Sequence, residues 1–386
     1  MRAVVADINN LGGVYVEEYD RKLPIKLIIL DDESEETKSG SLAEDLILSD
    51  KVNFLAGFFG SPGLHAMVAK VAEAYQVPYV AEHPMESWMS LREEITPKWK
   101  YTWTPGFAIA TPPPEGDVNY GKPGYTTLDI GYALLDEFGD QTNKIAGVFA
   151  SDEPAGTAWY RLFPGALEKW GAEVIGADKD LGLFPPGTTD FTPMIREWMD
   201  NDVEILWGNC PSALFATLWR QAHTLGFQPK MVYAARASLF YSEVLSWGGD
   251  LPLGVGTERW WDPSYQGCFG IGDTTPQTLY ERWHEDTGRA VNPNIGFGYT
   301  SVQILVDAIE RAGTIDGVKV NQALADTDLM TIASHVKFDE NQFSRLPLFY
   351  SQWQKTDDGE WSSEIIVSQH DFIPETAEPL FPIPYE

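Results

Sequence analysis

Cysteine is nearly absent: Cys210 and Cys268 are the two in 386 residues. They could pair, but two thiols make neither a disulfide framework nor a zinc spacing, so burial must hold the fold. No apolar run reaches the roughly 18 residues that read as a membrane-spanning helix. Basic residues are scarce too, with 27 Lys and Arg against 57 Asp and Glu and a net charge of −30. That field repels phosphate backbones and anionic lipid heads, which argues against nucleic acid as a partner and against membrane insertion. The charge either serves solubility or steers cationic ligands. H-E-x-x-H, G-x-S-x-G and P-loop patterns are missing, and Gly57, Gly60 and Gly63 lack the dinucleotide spacing. The histidines are scattered, and no persuasive nucleophile–base pair appears. An enzyme is not expected, nor is a cofactor or a metal.

What the chain does have is a rhythm. Its length suits two or three domains, and 44% hydrophobic residues supply an ordinary globular core. Short apolar runs at 25–30, 53–59, 77–80, 144–149, 172–176, 203–207, 230–233 and 255–260 read as strands. Helical periodicity fills the intervals at 34–48, 64–75, 127–138, 157–170, 191–199 and 213–225. Strands alternating with helices of this length predict α/β architecture with parallel, doubly wound sheets. Residues 104–127, rich in Pro and Gly, have no period and mark a domain crossing or a lid. Helices at 277–287 and 299–312 and a strand-like tail follow.

In open parallel sheets, ligands bind beyond the carboxyl ends of the strands, next to helix N-termini. This rule selects the loops at 57–63, 82–87, 150–156, 208–212 and 234–238. Ser61 followed by Pro62 suits a helix start, so Ser61 is an N-cap, a ligand contact or both. His83 is the histidine that falls in a selected loop. Phe58, Phe59, Trp88, Trp207, Trp260 and Trp261 lie in or beside strand ends, where they either pack the core or wall a pocket.

The order and spacing of several stretches then match a known family. They are residues 6–14 (ADINNLGGV), 30–34 (LDDES), 57–66, 76–80 (QVPYV), 189–195 (TDFTPMI), 221–226 (QAHTLG) and 298–302 (GYTSV). Together they cover almost the whole chain, which resembles the type I solute-binding proteins of ABC importers, in particular the leucine/isoleucine/valine-binding group. The resemblance implies two Rossmann-like lobes joined by three crossings and closing on a small molecule. One lobe would comprise 1–123 and 259–335, the other 124–258 and 336–386. It also implies a protein without catalytic residues or cofactor, acting outside the cytoplasm as a monomer and delivering its ligand to a membrane permease. The family opens with a strand ahead of its first helix. This chain begins inside that helix at Met1, so the first strand is expected to be absent, and no secretion signal is expected within the chain.

The strand-end loops and the resemblance together place Phe59, Gly60, Ser61, His83, Pro84, Met85, Ala155, Trp207, Arg236, Trp260 and Trp261 at the ligand. Ser61 matches the serine that holds a ligand carboxylate. His83 falls where amino-acid binders receive the ammonium, Met85 replaces a threonine, and Ala155-Gly156 replaces Tyr-Gly. The acidic partner of the ammonium falls near Ala235 and Arg236, where no carboxylate stands. An unpaired buried ammonium costs several kcal/mol. Arg236 with Ser61 and His83 suits an anion instead, so the expected ligand is a carboxylated compound, aromatic or not. Alternatives are a sensor domain, or a branched-chain amino acid or amide binder with altered contacts. Arg236 could equally pair with a surface acid such as Glu243.

Overall fold

The computed structural model of the chain describes residues 1–57, 60–94 and 99–385. The chain forms two compact units. The first comprises Met1–Thr127, Trp260–Thr287 and Pro293–Pro347, and the second Leu128–Arg259, Gly288–Asn292 and Leu348–Glu386. The last segment of the first unit therefore runs past residue 335, because strand Phe343–Arg345 pairs in parallel with Thr102–Gly106.

In the first unit, four parallel strands lie in the order Phe343–Arg345, Thr102–Gly106, Tyr79–Val80, Leu55–Ala56. Helix Pro62–Tyr75 connects two of them, with Ala66, Ala69 and Ala72 on its buried face. Small residues at this spacing let a helix lie close against a sheet. Helix Asn294–Ala312 is buried along nearly its whole length. Helix Arg2–Asn10 is anchored through Asp7, which accepts from Arg282 at 2.6 Å, Tyr299 at 2.7 Å and Thr274 at 2.8 Å.

The run at 25–30, read as a strand, forms none. Ile25 exchanges two hydrogen bonds with the Asn9 side-chain amide, and Ile29 and Leu30 are 54% and 43% exposed. An extended segment becomes a strand only where a neighbour completes its ladder, and the sheet of this unit ends at Leu55–Ala56.

The second unit holds an eight-stranded sheet. Its order is Trp361–Val367, Phe349–Lys355, Val255–Arg259, Met231–Ala235, Ile205–Asn209, Ile145–Ser151, Glu173–Ile175, with Leu183–Phe184 also on Ile145–Ser151. The strands from Val255–Arg259 to Glu173–Ile175 are parallel, while the two late strands add antiparallel at one edge. Helices Pro154–Trp170, Thr192–Asp200 and Ser212–Leu225 fall within three residues of their expected bounds at each end. Phe149, Phe215, Trp198 and Trp219 belong to the core. With helices on both sides of mostly parallel sheets, the class is α/β, two Rossmann-like units.

Candidate functional site

Strand order decides where this sheet can hold a ligand. From Ile145–Ser151 the chain moves outward to Glu173–Ile175, then returns to place Ile205–Asn209 on the other side. The crevice at such a reversal, beyond the carboxyl ends, is where open sheets bind small molecules. Glu153, Asn209 and Arg236 stand at these ends. The Asn209 Oδ1 is buried without a partner, in the loop at 208–212 that the strand-end rule selects.

Glu153 caps helix Pro154–Trp170, accepting from the Gly156 amide at 3.1 Å and the Ala155 amide at 3.3 Å. Gly156 permits this tight start, since a Cβ there would lie 2.0 Å from the Ser151 carbonyl oxygen. The Glu153 carboxylate also accepts from Ser151 at 3.0 Å and from Arg236 at 2.5 Å. Burial pushes its pKa up, but the Arg236 guanidinium and the donors outweigh that and hold it below the ordinary value. Two expectations change. A carboxylate does stand near Arg236, contributed from another strand end, and the partner of Arg236 is Glu153 rather than Glu243. The Ala155 and Gly156 amides are occupied by this internal anion.

In the first unit, Ser61 is the N-cap of helix Pro62–Tyr75, with Pro62 in the first turn. Its hydroxyl makes no capping bond, and the residue is exposed beside half-buried Gly60. Phe58 and Phe59, expected here, lie outside the described residues. His83 follows strand Tyr79–Val80 and is buried, its Nδ1 3.1 Å from the Pro84 carbonyl oxygen. Burial lowers its pKa to about 4 against the opposing pull of the Pro84 and Pro62 carbonyls. At neutral pH the imidazole is uncharged, so it can offer an anion one N–H donor but no positive charge. Glu82 is fully buried, which pushes its carboxyl well above the ordinary range. Met85 opens helix Met85–Glu94 and is buried, its Sδ 2.9 Å from Arg345 Nη2.

The three tryptophans pack inside their own units. Trp207 stacks on Tyr233 with centroids 4.5 Å apart and lies over Gly131. Trp260 stacks between Phe107 at 4.9 Å and Phe297 at 5.8 Å. Trp261 covers Gly296 and donates to the Ile332 carbonyl at 3.0 Å. Position at a strand end says where a residue starts, while the flanking small residues decide where its ring goes. Both cysteines are free and buried, and burial raises Cys268 to about 12. Among the described residues, no group of three or more His, Cys, Asp or Glu is placed to hold a metal ion. No helix among them is long and apolar enough to cross a membrane.

The strand-end loops and two α/β units define a solute-binding protein of the type that serves ABC transporters. A family model described as periplasmic binding protein matches residues 1–357, and the chain belongs to that family. It is 22% identical over 378 residues to Leu/Ile/Val-binding protein homolog 6 of Brucella suis biovar 1, covering 93% of this chain and 82% of the relative. Solved structures with the same fold include a leucine binding protein LivK from Thermotoga maritima (TM-score 0.66, 18% identity, 95% and 94% of the chains). A solute binding protein from Rhodopseudomonas palustris BisB5, in complex with 3,4-dihydroxy benzoic acid, gives TM-score 0.68 at 17% identity over 96% and 92%. A putative branched-chain amino acid ABC transporter protein from Silicibacter pomeroyi gives 0.71 at 16% over 99% and 93%.

Proposed function

We propose that the protein captures a small organic carboxylate outside the cytoplasm, working as a monomer, and hands it unchanged to the permease of an ABC importer. The observation that carries this reading is Ser61. Its exposed hydroxyl is not spent on its own helix, so it can donate to a carboxylate seated at the positive end of helix Pro62–Tyr75. The family membership and the neighbour holding an aromatic acid support a ligand of this kind.

A second reading is favoured by Glu153. A ligand ammonium could compete with Arg236 for that carboxylate, which would suit a branched-chain amino acid, as in the leucine-binding neighbour. Mass spectrometry of whatever co-purifies, then calorimetry with benzoate, 3,4-dihydroxybenzoate, leucine and isocaproate, separates the two. The carboxylate reading expects stoichiometric binding without turnover and at least a tenfold loss in Ser61→Ala. Full affinity in that variant removes its basis, and turnover of any of these compounds would make the protein an enzyme.

A further inference from the structure

Glu86 is the second residue of helix Met85–Glu94, within the strand-end loop at 82–87. Its carboxylate accepts from three consecutive backbone amides. Oε2 takes Ile109 at 2.8 Å, and Oε1 takes Ala110 at 2.8 Å and Thr111 at 2.9 Å. These are the last amides before Pro112-Pro113-Pro114, which have no N–H to offer. Successive amides turned to one point form a concave seat for an anion, and bonds to a charged acceptor are the stronger kind. Here the chain fills the seat itself. Glu86, Ile109 and Ala110 are half-buried and Thr111 is exposed, so the seat lies at the surface.

The segment that carries these amides leaves and returns at one place. The Met85 N–H donates to the Phe107 carbonyl at 2.8 Å, and the Thr127 N–H to the Ala108 carbonyl at 2.9 Å. Ala108 also pairs with Thr126 in an isolated bridge. Residues 109–125 are therefore a loop closed at its neck, and just past Thr127 the chain enters the second unit. Farther along the loop, Asp117 lies 3.5 Å from the buried Arg345 guanidinium. The proline and glycine content of 104–127 suits either a domain crossing or a lid, and these bonds decide between them.

We infer that Glu86 is a positioning residue whose carboxylate latches residues 109–111, making the loop a fixed part of the passage to the second unit and not a moving lid. The latch needs a carboxylate, not only a side chain of that size. Both oxygens accept, so an amide in their place would turn its NH2 onto at least one backbone N–H. Cutting the side chain back would leave three donors aimed at one point and open to solvent. Acetate has the atoms that Glu86→Ala removes, so it should fit the emptied seat. The inference stands whatever ligand the protein takes.

Amide exchange followed by NMR in 15N-labelled protein reads each position separately. In the wild type, Ile109, Ala110 and Thr111 should exchange at least tenfold more slowly than exposed Gly116 and Gly121 of the same loop, each relative to its intrinsic rate. Glu86→Ala should remove that protection at all three, and Glu86→Gln at one or two, while helix Met85–Glu94 keeps its own. Acetate should restore protection in Glu86→Ala, and acetamide at equal concentration should not. Chymotrypsin should cut after Tyr120, which is 60% exposed, at least tenfold faster in Glu86→Ala than in the wild type, and acetate should slow it again. Wild-type amides as fast as the two glycines overturn the inference without any variant, as does unchanged protection in Glu86→Ala. Equal restoration by acetate and acetamide, or by neither, overturns it too and makes Glu86 a packing residue.

Discussion

Arg236 Nη1 lies 2.5 Å from Glu153 Oε1, across 83 residues of sequence. Arg236 is 37% and Glu153 25% exposed, so the pair contributes no more than about 1 kcal/mol to folding. Its effect belongs to selectivity. While Arg236 occupies Glu153, wild type should bind isocaproate at least as well as leucine. Arg236→Ala frees the carboxylate and should shift the preference toward leucine by about tenfold, or ~1.4 kcal/mol. Calorimetry with the two compounds reads this directly. An unchanged ratio would show that the pair does not govern ligand charge.

Glu258 should make the protein less stable as pH rises. It is buried on strand Val255–Arg259, and burial lifts its pKa to about 7 despite the hydrogen bond from Thr257. The folded state therefore holds a proton that the unfolded chain releases near 4.5. Its contribution is full below the unfolded pKa and is lost as pH climbs to about 7. The linked change is ~3 kcal/mol. Glu258→Gln should thus be more stable than wild type at pH 8, relative to the difference at pH 5. Denaturant melts at both pH values test this, and parallel pH profiles for the two proteins would refute it.

Trp260 should behave as a core residue. Removing a ring stacked between Phe107 and Phe297 leaves a cavity, so Trp260→Ala should cost about 3–5 kcal/mol in urea unfolding. A ligand-facing ring would give the opposite pattern, with affinity lost and stability kept.

Asp7 ties helix Arg2–Asn10 to the rest of its unit. Burial raises its pKa, but hydrogen bonds from Arg282, Tyr299 and Thr274 outweigh this and set it below the ordinary value. A depressed carboxyl stabilises above the unfolded pKa, and that stability is lost as pH falls through the folded one. Asp7→Ala strands three donors and should cost about 2–3 kcal/mol at pH 7, shrinking below pH 4. Urea titrations at pH 7 and pH 3 provide the comparison. A constant difference would point to packing instead.

Alternation of apolar runs with helical periodicity carried most of the architecture, because strands such as Ile205–Asn209 are buried on both faces and read as continuous apolar blocks. The run at 25–30 has the same composition and fails, since a ladder needs a neighbour that composition does not record. The hairpin Val14–Val16 with Arg21–Leu23 went unread because its strands are three residues each, too short for a period to show. The strand-end positions of Ser61 and of the loops at 82–87 and 150–156 were legible from topology alone. The Glu153–Arg236 pair was not, because it joins side chains from different strand ends.

The unpaired run at 25–30 also bears on how solutions of the protein behave. Leu27 and Ile28 are half-buried and Ile29 and Leu30 exposed, so the run offers other molecules a sticky, β-prone stretch with Lys26 on one side and Asp31-Asp32 on the other. Mutual repulsion between bodies of charge −30 opposes the joining of two copies there. That repulsion reaches ~10 Å at 0.1 M salt and only ~3 Å at 1 M. Concentrated stocks should therefore stay clear at low ionic strength and turn cloudy as salt is added, the reverse of ordinary salting-in.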